Sequence, residues 1–342
     1  MWKSRLPALL LLLLPLLLSG CKSAQETEPA YELAQQCVTV RHAASGDYLA
    51  TAGENAYRFS SGGEQEAEPF FLKPSGLGTF LLYDHDGRFL STQLIHVTRD
   101  AQPSRRAEWR INKLALYRGL IQTDTLYSLV NIVDELRLQR GKTGPLIRAD
   151  GNNLSPDVAL DLVPQPASAC RSFPEAPLNA DVAEDFNEPH DPTAPVKGYV
   201  DLHTHLGFPQ AMAGLAMAGD VFHPWGIEHA LKDCAHLHGT DGMLDLLEGQ
   251  RASGGAGGHA TAGYPDFPYW PRRDTSTHVQ AYYRWLQRAY LGGLRLMVSH
   301  VTGNPTFCQL LSFMKPGRAE GDCGSRSEVE NQTLYLYALQ DY

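Results

Sequence analysis

Basic residues are in deficit in this chain of 342 residues: 29 Lys and Arg stand against 38 Asp and Glu, for a formal net charge of −9. A broad basic face for nucleic acid is therefore missing. The N-terminal apolar run, Leu6 to Leu18, covers 13 residues. That is short of the ~20 a spanning helix needs. The glycine-rich stretch 253–263 contains no Gly-Lys-Ser/Thr, which excludes a phosphate-cradling loop there. No Gly-x-Ser-x-Gly occurs, so a nucleophile-elbow hydrolase is excluded, and Cys234 and Cys308 lack the context of a nucleophile. Histidine is scarce in the first half: His42, His85 and His96 alone precede position 190, leaving ten of the thirteen beyond them. That asymmetry suggests one part without metal chemistry and one part that carries it.

What is present starts with an export signal. Lys3 and Arg5 precede the apolar run, which ends in Leu18-Ser19-Gly20-Cys21. This resembles a bacterial lipobox, which implies a signal peptide over 1–20, a lipidated Cys21 and attachment to the cell envelope. Lys22 after the cysteine, rather than an aspartate, implies the outer membrane. Residues 21–33 read as a polar tether. Export permits disulfides, and Cys37 and Cys170 bracket the next segment, so they are expected to pair.

Residues 34–170 alternate apolar pairs with turn signals. Ser45-Gly46-Asp47 leads to Tyr48-Leu49, Asp86-Gly87 leads to Phe89-Leu90, and Trp109-Arg110-Ile111 leads on to Leu136-Arg137-Leu138. These are hairpin signatures. Leu49, Leu90 and Leu138 recur at spacings of 41 and 48. A loose period of this size, run three times, resembles a β-trefoil of the fascin or lectin kind; a propeller needs at least four blades. The third repeat matches least, and a less symmetric β-sandwich is the alternative. The trefoil resemblance implies a glycan partner, with Tyr48, Tyr83 and Phe89 able either to stack on sugars or to line the core.

Residues 171–198 hold Pro174, Pro177, Pro189, Pro192 and Pro195 among acidic residues and read as a linker. Then Tyr199-Val200 runs into Asp201-Leu202-His203-Thr204-His205. On a strand, residues two apart share a face, so Asp201, His203 and His205 can project together and offer two imidazoles to a divalent metal. A stripe of Ile227, Ala230, Leu231, Cys234 and Leu237 predicts a helix over 226–238 with Gly239 as its stop. Thr277-x-x-Gln280 predicts the start of a second helix, ended by Gly292-Gly293, and 294–300 reads as a buried strand in a parallel sheet. Ser327-x-x-Glu330 marks the entry to a last helix. The aromatic stretch from Tyr264 to Pro271 suits either a pocket wall or packing against the surface.

Tyr199 to His205, Cys234-x-His236-x-His238-Gly239, Gly263-Tyr264-Pro265 through Trp270-Pro271, Thr277-His278-x-x-x-Tyr282 and Gly292-Gly293-Leu294-Arg295 follow one another in order. The series resembles exported bacterial metal-dependent hydrolases of the amidohydrolase superfamily. That resemblance implies a TIM-barrel catalytic domain over 199–342, zinc or a similar divalent metal on His203 and His205, Asp201 orienting an imidazole, and hydrolysis of a small-molecule or peptide-like substrate by metal-activated water. His238 and His300 are candidate catalytic residues, with His259, Asp274 and His278 as further pocket candidates, each with a structural or exposed role as the competing assignment. A (β/α)₈ barrel takes ~250 residues, whereas Tyr199 to Tyr342 supplies 144. The expectation is therefore the opening part of an incomplete barrel, inactive alone, from a longer protein; a complete non-barrel α/β domain is the alternative. Asp-x-His-x-His also opens the phosphoesterases of the PHP type, for which Arg272, Arg273 and Arg295 are the only basic clamp in sight. A non-catalytic reading is a surface lipoprotein whose trefoil-like module binds glycan or protein.

Overall fold

A computed structural model describes residues 22–94, 96–118, 121–141, 147–149, 154, 156–179, 193–245, 258–266 and 275–342. Cys21, Asp274 and residues 267–271 of the aromatic stretch lie outside them. The chain divides into two compact units, Met1–Phe173 and Pro174–Tyr342. No described helix is long and apolar enough to cross a membrane.

The first unit is antiparallel β structure. It opens with β1 (Lys22–Pro29), so most of the stretch read as a tether is a strand. Three four-stranded repeats follow. The first contains β2 (Cys37–His42), β3 (Tyr48–Thr51), β4 (Tyr57–Ser60) and β5 (Pro69–Gly76). The second contains β6 (Thr79–Tyr83), β7 (Phe89–Gln93), β8 (His96–Asp100) and β9 (Glu108–Arg118). The third contains β10 (Ile121–Asn131), β11 (Arg137–Gln139), β12 (Ile147–Ala149) and β13 (Leu160–Pro164). Outer strands of each repeat pair in the ring β2–β5–β6–β9–β10–β13–β2. Closure removes sheet edges. The inner strands form the hairpins β3–β4, β7–β8 and β11–β12. A six-stranded barrel with three hairpins is the β-trefoil arrangement.

The core explains the period. Leu49, Leu90 and Leu138 enter from the first strand of each hairpin and are fully buried, together with Phe70, Leu72, Phe80, Leu82, Trp109 and Ile111. Trp109 donates its indole N–H to the carbonyl of Leu90 at 2.8 Å, so its one polar group is satisfied inside the core. Three residues before each leucine the turn needs a left-handed residue. Gly46 (φ 78°) and Gly87 (φ 84°) supply it freely, but the third repeat uses Glu135 (φ 56°). This substitution is one reason the third repeat is hard to see in sequence. A disulfide joins Cys37 to Cys170 with 5.8 Å between Cα atoms.

The second unit departs from the expected α/β barrel. Its described strands are β14 (Tyr199–Thr204) and β15 (Leu294–Ser299), which pair in parallel as a two-stranded sheet. Barrel strands are covered on both faces, but β14 is exposed along almost its whole length and β15 is partly exposed. The core lies instead beneath the excursion between them: Leu206, Leu215, Val221, Ile227, Leu231 and Leu237 pack with Val279, Tyr282, Cys308 and Leu311. The chain as a whole is therefore mainly β, and the partial (β/α)₈ assignment for 199–342 is corrected.

Local expectations shift for identifiable reasons. The stripe over 226–238 forms two single turns, α1 (Ile227–Ala230) and α2 (Ala235–His238), because Leu231 leaves helical geometry at φ −113°, ψ 50°. The later helix, α3 (Tyr283–Leu291), starts well after Thr277, whose hydroxyl is committed to Asp245 at 2.8 Å instead of a cap. Then come α4 (Pro305–Met314) and α5 (Ser325–Asp341). Cys308 on α4 is bonded to Cys323 before α5. Met212 and Ala213, both at positive φ, point adjacent N–H groups at the buried Glu328 carboxylate of α5, at 2.8 and 3.1 Å. That charge-assisted pair offsets the backbone strain.

Candidate functional site

Among the described residues, three places gather chemistry-bearing side chains. On the first unit, the β6–β7 turn is built around Asp84. Its carboxylate, fully buried, accepts from Tyr57 Oη at 2.8 Å, Arg99 Nε at 2.6 Å and the Arg88 backbone N–H at 2.8 Å. Arg99, 5% exposed, reaches outward to Asp86 at 2.5 Å, whose side chain is 64% exposed. The Arg99 guanidinium holds the Asp86 carboxyl below its usual range. Beside it Arg88 Nη1 donates to Asn55 Oδ1 at 3.3 Å and to the Glu54 carbonyl at 3.2 Å, while His85 is exposed. The surface carboxylate of Asp86 is thus held from below by Arg99, and the Arg88 guanidinium and Asn55 amide hold each other beside it. Of the aromatics named for sugar stacking, Tyr83 and Phe89 are buried, packed on each other and on Phe173 with centroids 5.1–6.3 Å apart. They are core; Tyr48 alone keeps partial exposure.

The second place is the carboxyl end of β14. His203 Nε2 lies 3.1 Å from His205 Nε2, and the His300 ring sits 4.5 Å from that of His203. The structure thus brings three of the named histidines together. His205 Nδ1 is 3.2 Å from the His300 carbonyl, and His300 Nε2 is 3.1 Å from the Leu202 carbonyl. Asp201 accepts the backbone N–H of His203 at 3.1 Å. Asp201, His203 and His205 border a cleft of about 600 Å³ with Phe208, Trp285 and Met297. The histidines are exposed to water.

The third place is buried. Cys234 and His238 stand four residues apart at the two ends of α2, hence on one face. Gly239 ends the turn at φ 74°, and a Cβ there would meet the Leu244 side chain at 2.9 Å. His259 is seated by its N–H on the Asp241 carbonyl at 2.8 Å, and its ring lies so close to Gly242 that a Cβ there would stand 2.8 Å from it. His278 is carried in by the bridge to Ala218. Each of Cys234, His238, His259 and His278 offers a ligand atom, and these all lie within 4.8 Å of one another. It is the one such group among the described residues. Asp245 stands alongside, its Oδ2 at 3.2 Å from His259 Nε2 and 3.7 Å from His238 Nδ1. Burial pushes the Cys234 thiol up to about 12, and pulls His238 down to about 2 and His278 to about 4. Both imidazoles are thereby kept neutral.

Sequence reasoning named His238, His259 and His278 singly and set Cys234 aside. The Cys-x₃-His spacing on a helical stripe was the available signal. Asp245 carried none.

No protein-family model and no curated protein matches the chain. Solved structures similar to it include a GlcNAcα1-4Gal releasing endo-β-galactosidase from Clostridium perfringens, at 15% identity and TM-score 0.31, over 38% of this chain and 33% of that one. Another is SeviL bound to asialo-GM1 saccharide, at 14% identity and TM-score 0.31, over 38% of this chain and 97% of that one. The chain thus spans about a third of the endo-β-galactosidase. Among the described residues the parallel strands β14 and β15 form a two-stranded, largely exposed sheet in place of a barrel wall, and the assignment to TIM-barrel metal-dependent hydrolases is corrected. The hydrolase and zinc-hydrolase readings built on it fall with it.

Proposed function

We propose that the chain is a glycan-binding surface protein whose trefoil unit recognises its ligand from the outer surface. The trefoil core is filled with leucine and aromatic side chains, so ligand groups belong on the loops and hairpins. The observation that carries the reading is the Asp84–Arg99–Asp86 chain: a buried carboxylate fixes an arginine, which fixes an exposed carboxylate beside Arg88 and Asn55. Neighbouring hydroxyls of a sugar present donors and acceptors a few ångströms apart, and pre-set carboxylate, guanidinium and amide groups complement them at little ordering cost. The lipobox-like Cys21 fits the same reading, because β1 starts at Lys22 and would hold the trefoil close to an anchoring membrane.

A glycan array probed with the full chain tests this, followed by calorimetry on the best ligand. Asp86→Ala and Arg88→Ala should each weaken binding by roughly tenfold, about 1.4 kcal/mol. An array without ligands, or binding indifferent to both substitutions, would refute it.

A further inference from the structure

Cys234, His238, His259 and His278 place one sulfur and three imidazoles around a common centre, all buried. We propose that these four residues hold a Zn²⁺ ion in a closed structural site that fastens three separate segments of the C-terminal unit. Zn²⁺ with such ligands is tetrahedral, with bonds of about 2.0–2.3 Å, which sets neighbouring ligand atoms roughly 3.3–3.8 Å apart. A group whose widest pair lies within 4.8 Å closes onto the ion by shifts of about 1 Å or less. A thiolate with imidazoles selects a borderline-soft metal over Mg²⁺ or Ca²⁺. Four protein ligands leave no open position, so the site is structural and not catalytic.

The contacts of the rings point the same way. His259 Nδ1 lies 2.9 Å from the carbonyl of Ala260, which can only accept. In the neutral ring this leaves the lone pair on Nε2, which faces Asp245 Oδ2 and His238 Nδ1, both at 3.2 Å. Neutral His238 has one proton; given to His259, it leaves His238 Nε2 a bare lone pair, and that atom makes no hydrogen bond among the described residues. Acceptors converge where a cation would satisfy them. A carbonyl holding the far nitrogen is also how ligating histidines are oriented. On binding, Cys234 releases its proton to solvent and the Cys234 thiolate with the Asp245 carboxylate balances the two charges of the ion. The ion would tie α2, the segment at His259 and the Ala218–His278 bridge, and single helical turns such as α1 and α2 have little stability of their own.

The full chain, purified without a metal-affinity tag, should contain one zinc per molecule by plasma mass spectrometry. Removing it with a chelator should lower the melting temperature of the C-terminal unit and expose Cys234 to alkylation, both reversed by Zn²⁺. Co²⁺ added to the stripped protein should give a thiolate-to-cobalt charge-transfer band that Cys234→Ser abolishes. His238→Ala should drop the stoichiometry to none, whereas the doubly substituted His203→Ala/His205→Ala protein should keep it. Folded wild-type protein that takes up neither Zn²⁺ nor Co²⁺ would overturn the proposal, as would metal lost with His203 and His205 but kept without His238. The wild-type arms stand whether or not the variants fold.

Discussion

Protonating Glu26 should release β1 from the trefoil. Glu26 accepts from Arg137 through both oxygens, at 2.5 and 2.8 Å, and from Ser128 Oγ at 2.6 Å. Arg137 is 7% exposed and the Glu26 side chain 26%, so the pair is shielded from full solvent screening. Burial by itself would raise the Glu26 carboxyl, but the Arg137 hydrogen bonds, with those from Ser128 and Asn112, outweigh it and hold the group at about 2 against an ordinary 4.5. A depressed folded-state value stabilises the fold above the unfolded value, and the gain disappears as pH falls from about 4.5 through 2. The gap is worth at most ~3 kcal/mol at neutral pH. Urea unfolding of wild type and Glu26→Gln, run between pH 7 and pH 2, isolates it from the other carboxylates. The difference should be ~2–3 kcal/mol at pH 7 and close to nothing at the acid end. A difference that stays constant with pH would refute the linkage, leaving only a packing effect.

Other perturbations follow from the same contacts. Asp220, raised to about 6 by burial and then by Glu320, should behave oppositely: its contribution is full below about 3.8 and lost as pH rises through 6, so Asp220→Asn should stabilise the second unit by ~2–3 kcal/mol at pH 8 by calorimetry. Asp84→Ala strands buried Arg99 and the Tyr57 hydroxyl and should cost ~3–5 kcal/mol in urea unfolding. Gly87→Ala forces a Cβ at φ 84° to within 2.9 Å of Tyr83 Oη and Arg171 Nη1, and thermal melts should show a loss of about 1–2 kcal/mol. Removing the Cys37–Cys170 bridge by double Ser substitution opens a loop of 133 residues, with an expected loss of ~5 kcal/mol from chain entropy and a lower melting temperature.

Much of the first unit was legible because its signals are local. A strand alternates every two residues and a tight turn needs particular residues, so Ser45-Gly46-Asp47 and Asp86-Gly87 announce hairpins without knowledge of anything distant. Leu49, Leu90 and Leu138 repeat because the same core position is filled three times. The third repeat was fainter where Glu135 stands in a turn position that favours glycine. In the second unit the same reasoning misled. Asp201, His203 and His205 share a strand, but whether that strand is wrapped by neighbours is decided by the rest of the chain, and here β14 lies open.

By itself, then, the sequence determined what depends on neighbours a few residues away: the hairpins, the turn residues, the strand that carries His203 and His205. Tertiary structure alone decided what depends on residues that meet after long excursions. Closure of the ring needs β13 to return to β2. The buried thiol–imidazole cluster needs residues 234, 238, 259 and 278 to meet across chain segments whose separation leaves no periodic trace. Burial then sets their chemistry, because removing water is what keeps the His238 and His278 imidazoles neutral.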